Sequence, residues 1–271
     1  MPTPSDHPWF RAHPVNHEHI VRHWRQATRK EIERGMRWYA DAHILATTIA
    51  NGDAHLGAGM LAIYSPQQGW TGNILNAARV LRDRHGIGGP GSGVLASASQ
   101  KQAANRLLSG EPYTDIVTGP KIRNFAHLIE HGGDADPNNP CVVIDRHALS
   151  VACGHTLRSD EYDSAPLRGF KRRDGSISSL HYDYVVDQYC HASELVSRLV
   201  TTRVAPHQVQ AVTWLVHQRL NQQAELELSP NRLAKGRNRA RSKSEKAWQE
   251  FRTKHFPGLL TYPSTGYQPA A

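Results

Sequence analysis

Residues Ile116–Gly154 read IVTGPKIRNFAHLIEHGGDADPNNPCVVIDRHALSVACG, and the rest of the chain is interpreted outward from them. Thr118-Gly119-Pro120 forms a tight turn that delivers Lys121 onto the first turn of a helix. Pro120 suits the first helical position, where its missing N–H costs nothing, and Gly119 is expected to allow a bend that a side chain would obstruct. The spacing predicts a helix over Lys121–His131, with Ile122, Phe125, Leu128 and Ile129 on one apolar stripe and Gly132-Gly133 as its stop. A polar loop and the apolar run Cys141–Ile144 follow, ending on Asp145. Asp145 reads as the N-cap of a helix over Arg146–Cys153 that Gly154 terminates. One lysine and one aspartate, 24 residues apart, therefore each sit at a helix start.

The remaining sequence bounds the possibilities. With 271 residues the chain is long enough for one large helical domain or two lobes. Cys141, Cys153 and Cys190 form no CxxC pair, so neither a disulfide framework nor a zinc ribbon is indicated. The simple inference is a reducing, cytoplasmic setting. No apolar run approaches membrane-spanning length, and MPTPSDHPWF lacks the order of a signal peptide. A net charge of +8 favours a polyanionic partner.

Along the chain the elements read as helices. Asn16 caps one that carries Ile20, Trp24, Ala27 and Ile32, and a second runs over Tyr39–Asn51. Ala54–Tyr64 is a small, apolar, buried helix in which Gly57 and Gly59 admit a close neighbour, broken by Ser65-Pro66. Thr71–His85 is amphipathic, and the glycine-rich stretch Gly86–Gly93 follows a helix rather than a strand, which argues against a nucleotide fold. Ser97 and Gln100 make a capping box before Gln100–Leu108. Ser159–Ser179 reads as a polar loop with a basic knot at Lys171, Arg172 and Arg173, and long helices follow over Tyr182–Thr202 and from Pro206. Lys235–Lys246 holds six positive residues against one acid and reads as a DNA-contacting loop or, more commonly for such runs, solvated disorder. The fold class is mainly α.

Val117-Thr118-Gly119-Pro120-Lys121, followed by Val143-Ile144-Asp145-Arg146-His147, resembles the helix-hairpin-helix DNA glycosylase superfamily, whose hairpin ends in a lysine and whose V-D-x-H segment supplies the catalytic aspartate. Ala62–Leu81 is similar to the family's early helix pair. The resemblance spans about Ala54–Gly154 and departs from the pattern at Val117, where the family has a first hairpin glycine. The four-cysteine cluster of some members is missing, so no iron–sulfur centre and no other cofactor is expected. The resemblance implies two helical lobes with the hairpin at the cleft between them. The expected division is a central lobe over 53–138, a second lobe from 1–52 plus 139–235, and a basic C-terminal segment over 236–271.

It also implies roles. Asp145 would stabilise the cation-like sugar formed as a base leaves, much as in glycoside hydrolysis; the plain alternative is a helix cap. Lys121 would attack the sugar carbon to give a Schiff base, or else contact a phosphate beside the hairpin amides of Thr118 and Gly119. Arg123 and Asn124 would reach phosphate. Gln67, beside Gln68, would wedge into the duplex as the base is flipped out, or lie in a surface turn. Trp70 would stack on the extruded base or pack in the core, and His147 would steady the base pocket. His17-Glu18-His19 and Asp53-Ala54-His55 lack helical i,i+4 pairing, and no metal site is expected.

The expected function is excision of a damaged or modified base from double-stranded DNA, with abasic-site lyase activity. It would be carried out by a monomer in a prokaryotic, nucleoid-associated setting away from membranes. Modified cytosines of phage DNA, removed in defence, are one substrate class that the shortened segment between Gln67 and Lys121 would admit. The rivals are a non-catalytic DNA- or RNA-binding hairpin protein and a metal-dependent nuclease.

Overall fold

The computed structural model describes residues 3–66, 69–83, 97–133, 140–168, 170–171, 177–178, 180–228 and 233–259. It is mainly helical, and in chain order the α-helices are α1 (Pro8–Ala12), α2 (His17–Arg25), α3 (Arg29–Ile49), α4 (Ala54–Tyr64), α5 (Trp70–Asp83), α6 (Ala98–Leu108) and α7 (Tyr113–Ile116). They continue with α8 (Pro120–Glu130), α9 (Arg146–Cys153), α10 (Ser159–Asp163), α11 (Leu180–Val200), α12 (Pro206–Leu228) and α13 (Leu233–His255). Two-residue strands β1 (Phe170–Lys171) and β2 (Ile177–Ser178) pair antiparallel, Phe170 opposite Ser178. No helix among the described residues is long and apolar enough to cross a membrane.

The chain divides into two compact units. Unit 1 is Met1–Trp38, Gly119–Asn124 and Ala135–Gln222; unit 2 is Tyr39–Thr118, Phe125–Asp134 and Gln223–Ala271. This division differs from the expected one in two ways. The residues after Tyr39 and the C-terminal segment group with the central helices, and the start of α8 groups with Asp145.

Unit 1 is built on α2, α9 and α11, which pack on one another. Ile20, Val21 and Trp24 of α2 meet Leu149 and Ala152 of α9 and Val185 and Tyr189 of α11 in one apolar cluster. Burying such side chains stabilises by roughly 1.5–3 kcal/mol each. Asn16 caps α2 as expected, its Oδ1 accepting from Glu18 N at 2.9 Å. The expected continuation of that helix through Ile32 is corrected. Thr28 and Glu31 form a capping box, Thr28 N donating to Glu31 Oε2 at 2.7 Å and Glu31 N to Thr28 Oγ1 at 3.3 Å, and this starts α3 at Arg29. Gly35 does not interrupt α3, because a Cβ there would fall 2.8 Å from the Val212 backbone of α12.

Unit 2 packs α4 against α5, α6 and α7, with α13 on α5. Gly57 and Gly59 admit close neighbours as expected: a Cβ on Gly57 would run into the Ala46 carbonyl, and one on Gly59 would lie 3.0 Å from Tyr113 Cβ. Trp70 packs in this core, buried and edge-on to Phe125 with ring centroids 6.3 Å apart. Its assignment to a base pocket is therefore corrected to a core role. Lys235–Lys246 is neither loop nor disorder but part of α13, whose later turns bury Trp248. The apolar anchor at Trp248 explains why so charged a stretch is helical.

Candidate active site

The Lys121 end of α8 and the start of α9 lie in unit 1 and are tied together locally. Pro120 takes the first position of α8, and Arg123 N donates to Gly119 O at 3.0 Å. Gly119 itself has no positive φ, and a Cβ on it would meet nothing within 4 Å. The expectation that a side chain would obstruct the turn is corrected: Gly119 ends the turn without needing glycine's freedom. Asn124, one turn into α8, donates from Nδ2 to Val142 O at 2.9 Å, and its carbonyl accepts from Cys141 Sγ at 3.7 Å. The expected phosphate contact by Asn124 gives way to a brace between α8 and the segment that leads to Asp145.

That segment, Cys141–Ile144, belongs to no helix or strand and is buried. Its polar backbone is satisfied by side chains. Ile144 N donates to Tyr182 Oη at 2.9 Å, Tyr182 Oη donates to Val142 O at 2.8 Å, and Tyr162 Oη donates to Ile144 O at 3.3 Å. Asp145 then caps α9 as expected, Oδ1 accepting from Ala148 N at 2.7 Å, and Gly154 ends it at φ 77°. The second oxygen, Oδ2, accepts from the indole Nε1–H of Trp214 at 2.9 Å. Asp145 is only 3% exposed, so its carboxylate is withdrawn from water and held by two neutral donors.

Among the described residues Lys121 and Asp145 make no hydrogen bond or ion pair with each other, but the Asp145 charge reaches the Lys121 ammonium. Burial pushes the Lys121 ammonium below the usual lysine range, and the Asp145 charge pulls the other way and loses. Its Nζ lies 6.0 Å from the centroid of the Tyr162 ring. Burial likewise raises the Tyr162 phenol, with the Asp145 charge second. The half-buried Lys121 amine and the buried Asp145 carboxylate are thus coupled through space by charge.

His147, 7% exposed, sits beside them, its ring edge-on to Trp214 with centroids 5.6 Å apart. A hydrogen-bond ring fixes its tautomer. Thr156 Oγ1 donates to Asn221 Oδ1 at 2.8 Å, so the Asn221 amide points Nδ2 at His217 Nδ1, 3.3 Å away. His217 Nδ1 must then be an acceptor, and His147 Nδ1–H donates to it at 2.9 Å. His217 Nε2–H is left to donate to Thr156 Oγ1 at 3.3 Å. His147 Nε2 therefore carries a bare lone pair, buried and without a hydrogen-bond partner among the described residues. Burial holds both rings neutral, pushing His217 down to about 3 and His147 below the usual range. Such an orphan acceptor next to an acid and an amine is what a site for a hydrogen-bond donor looks like.

The other expected residues are distributed more widely. Thr118 is exposed and Gly119 half-buried, and Arg123 is exposed on α8. Lys171 lies in β1, whereas Arg172, Arg173, Gln67 and Gln68 lie outside the described residues. Sequence reasoning missed Trp214, His217 and Asn221. The signal was available: Gln210, Trp214, His217 and Asn221 recur at helical spacing beside the apolar stripe of α12, and the first three are buried.

A family model described as a family of unknown function, DUF7178, matches residues 12–222. That match covers more than half of the chain, which belongs to this family. It spans the whole Lys121–Asp145–His147–His217 constellation and stops short of α13. No curated protein and no solved structure matches the chain.

Proposed function

We propose that this member of the DUF7178 family is a DNA glycosylase of the helix-hairpin-helix kind, acting on a damaged or modified base and cutting the resulting abasic site. The observation that carries the reading is the charge coupling of the half-buried Lys121 amine to the buried Asp145 carboxylate, each at the start of its own helix. An amine that loses its proton readily is a nucleophile. A carboxylate whose oxygens are held by neutral donors is fixed in position for a cation-like sugar.

In the proposed reaction the flipped nucleoside lies with C1′ between the two groups. As the glycosidic bond breaks, its electron pair leaves with the base, which takes up a proton, and Asp145 stabilises the positive charge left on the sugar. The Lys121 lone pair forms the new bond to C1′, and ring opening gives a Schiff base from which the strand is cut by elimination. His147 Nε2 accepts a hydrogen bond from the substrate. A duplex is the expected partner, given the net charge of +8. Modified cytosines, including those of phage DNA, and oxidised or alkylated bases are the substrate classes to be tried.

The test is mass spectrometry of bases released from duplexes and from cellular and phage DNA. Asp145→Asn is expected to abolish release while binding survives, and unchanged turnover in that variant sinks the assignment. Borohydride should trap a covalent adduct that Lys121→Met cannot form. The second reading is a non-catalytic nucleic-acid-binding protein, favoured by the engagement of both Asp145 oxygens within the fold. It requires affinity that falls steeply with salt and no base release on any substrate.

A further inference from the structure

The far end of α8, in unit 2, carries a different chemistry. His127-Leu128-Ile129-Glu130-His131 places two histidines and a glutamate three and four residues apart, which brings them onto one helix face. One ring nitrogen from each histidine and a carboxylate oxygen of Glu130 all lie within 4.8 Å of one another. The two rings are 4.3 Å apart, centroid to centroid, and tilted by 38°. Ligands bonded to one zinc ion at about 2.0–2.2 Å stand roughly 3.5 Å apart in a tetrahedron, so small side-chain rotations bring all three onto one ion.

The residues around the cluster hold it ready. Tyr113 Oη donates to Glu130 Oε2 at 2.5 Å, and His55 Nδ1 donates to Oε1 at 2.8 Å. The His55 ring is itself stacked on Tyr113, centroids 4.6 Å apart. Outer partners that hold a ligating carboxylate are the usual company of a metal site. Each Glu130 oxygen keeps a further lone pair beyond the one these donors use. His131 Nδ1–H donates to the His127 carbonyl at 2.9 Å, which leaves the lone pair on its Nε2. The His131 side chain is 46% exposed, so the cluster is open to solvent on one side.

We infer that His127, Glu130 and His131 bind one divalent transition-metal ion of the zinc class, with His55 and Tyr113 orienting Glu130 and a coordination position left for water or a small ligand. Two imidazoles and one carboxylate suit zinc and its neighbours and disfavour magnesium, which demands oxygen ligands. The residues weighed from the sequence, His17–His19 and Asp53–His55, lacked i,i+4 spacing, whereas His127 and His131 have it inside a helix the sequence already predicted. His55 enters as an outer partner rather than a ligand. The inference stands apart from the proposed glycosylase activity and is tested without it.

The experiment uses the full chain, stripped with chelator and titrated with cobalt(II) and, separately, zinc(II). Cobalt should produce a visible ligand-field spectrum that saturates at one equivalent per chain. Zinc should displace it, and a large excess of magnesium should not. His131→Ala and His127→Gln should each weaken binding at least about tenfold. His13→Ala, which removes one ring of the His13–His155 contact in unit 1, should leave it unchanged. His131 is exposed at the helix end, so its removal keeps the test meaningful if the His127 variant fails to fold. Absence of the spectrum, equal affinity in His131→Ala, or displacement by magnesium overturns the inference.

Discussion

Two aspartates begin helices in the same way and end in different surroundings. Asp53 Oδ1 accepts from Leu56 N at 2.9 Å and caps α4; Asp145 Oδ1 accepts from Ala148 N at 2.7 Å and caps α9. Asp53 is exposed, and its bond to Leu56 N is the one described for its carboxylate. Asp145 is buried, takes an indole N–H on its second oxygen, and faces a lysine whose charge burial has weakened. The capping rule is local and identical in both. What makes one of them a candidate for chemistry comes entirely from residues far away in the chain.

The largest effect that would break this contrast is on base release. Asp145→Asn should lower single-turnover release about 10²–10⁴-fold, the range for losing a positioned acid or base. Asp53→Asn should leave it unchanged, because asparagine caps a helix as well as aspartate does. Equal loss in both would reduce Asp145 to a cap.

Next comes pH. His217 is held neutral by burial and titrates near 3 in the folded protein rather than near 6.5. As pH falls below about 6.5 the unfolded chain takes up this proton first. Stability should therefore decline by up to about 1.4 kcal/mol per pH unit and stop declining below about 3. His217→Gln should remove that part of the slope in urea melts taken across the range. The acid side of the stability curve then reports on the Asp145 surroundings.

Smaller again, Trp214→Phe should cost about 2–4 kcal/mol, since it deletes buried volume and strands one carboxylate oxygen. Asp53→Ala should cost only about 1 kcal/mol in the same denaturant midpoint measurement. The smallest expected effect is at the remaining helix start of interest, where Gly119→Ala should change stability by less than about 0.5 kcal/mol. Gly119 has an ordinary φ and open space around it.

Much of the scaffold was legible because its signals are short in range. The bounds of α4 and α9 follow from apolar spacing between a capping residue and a helix stop, and both are as read from the sequence. The break between α2 and α3 was also written locally, in Thr28 and Glu31, but the apolar spacing of Ile32 concealed it. The helix through Lys235–Lys246 was not legible, because it depends on the packing of α13 against α5. The candidate site divides in the same way. That Lys121 and Asp145 begin helices could be read; that they share one unit depends on Asn124 reaching Val142 and on the Cys141 contact. The His147–His217 pair joins residues 70 positions apart, a separation over which no pattern in a single sequence has predictive reach.

The run before Asp145 is neither helix nor strand, and side chains satisfy its backbone. One phenol, Tyr182, stands where a neighbouring strand would be, giving to Val142 and taking from Ile144. A sheet ladder offers equivalent rungs two residues apart, whereas each of these side chains offers a single rung. Sliding this run in either direction would orphan both bonds, and those from Asn124 to Val142 O and from Tyr162 to Ile144 O with them, so the placement of the acid is indexed to three side chains. Insertions and deletions should therefore be tolerated before Cys141 and not between Cys141 and Asp145.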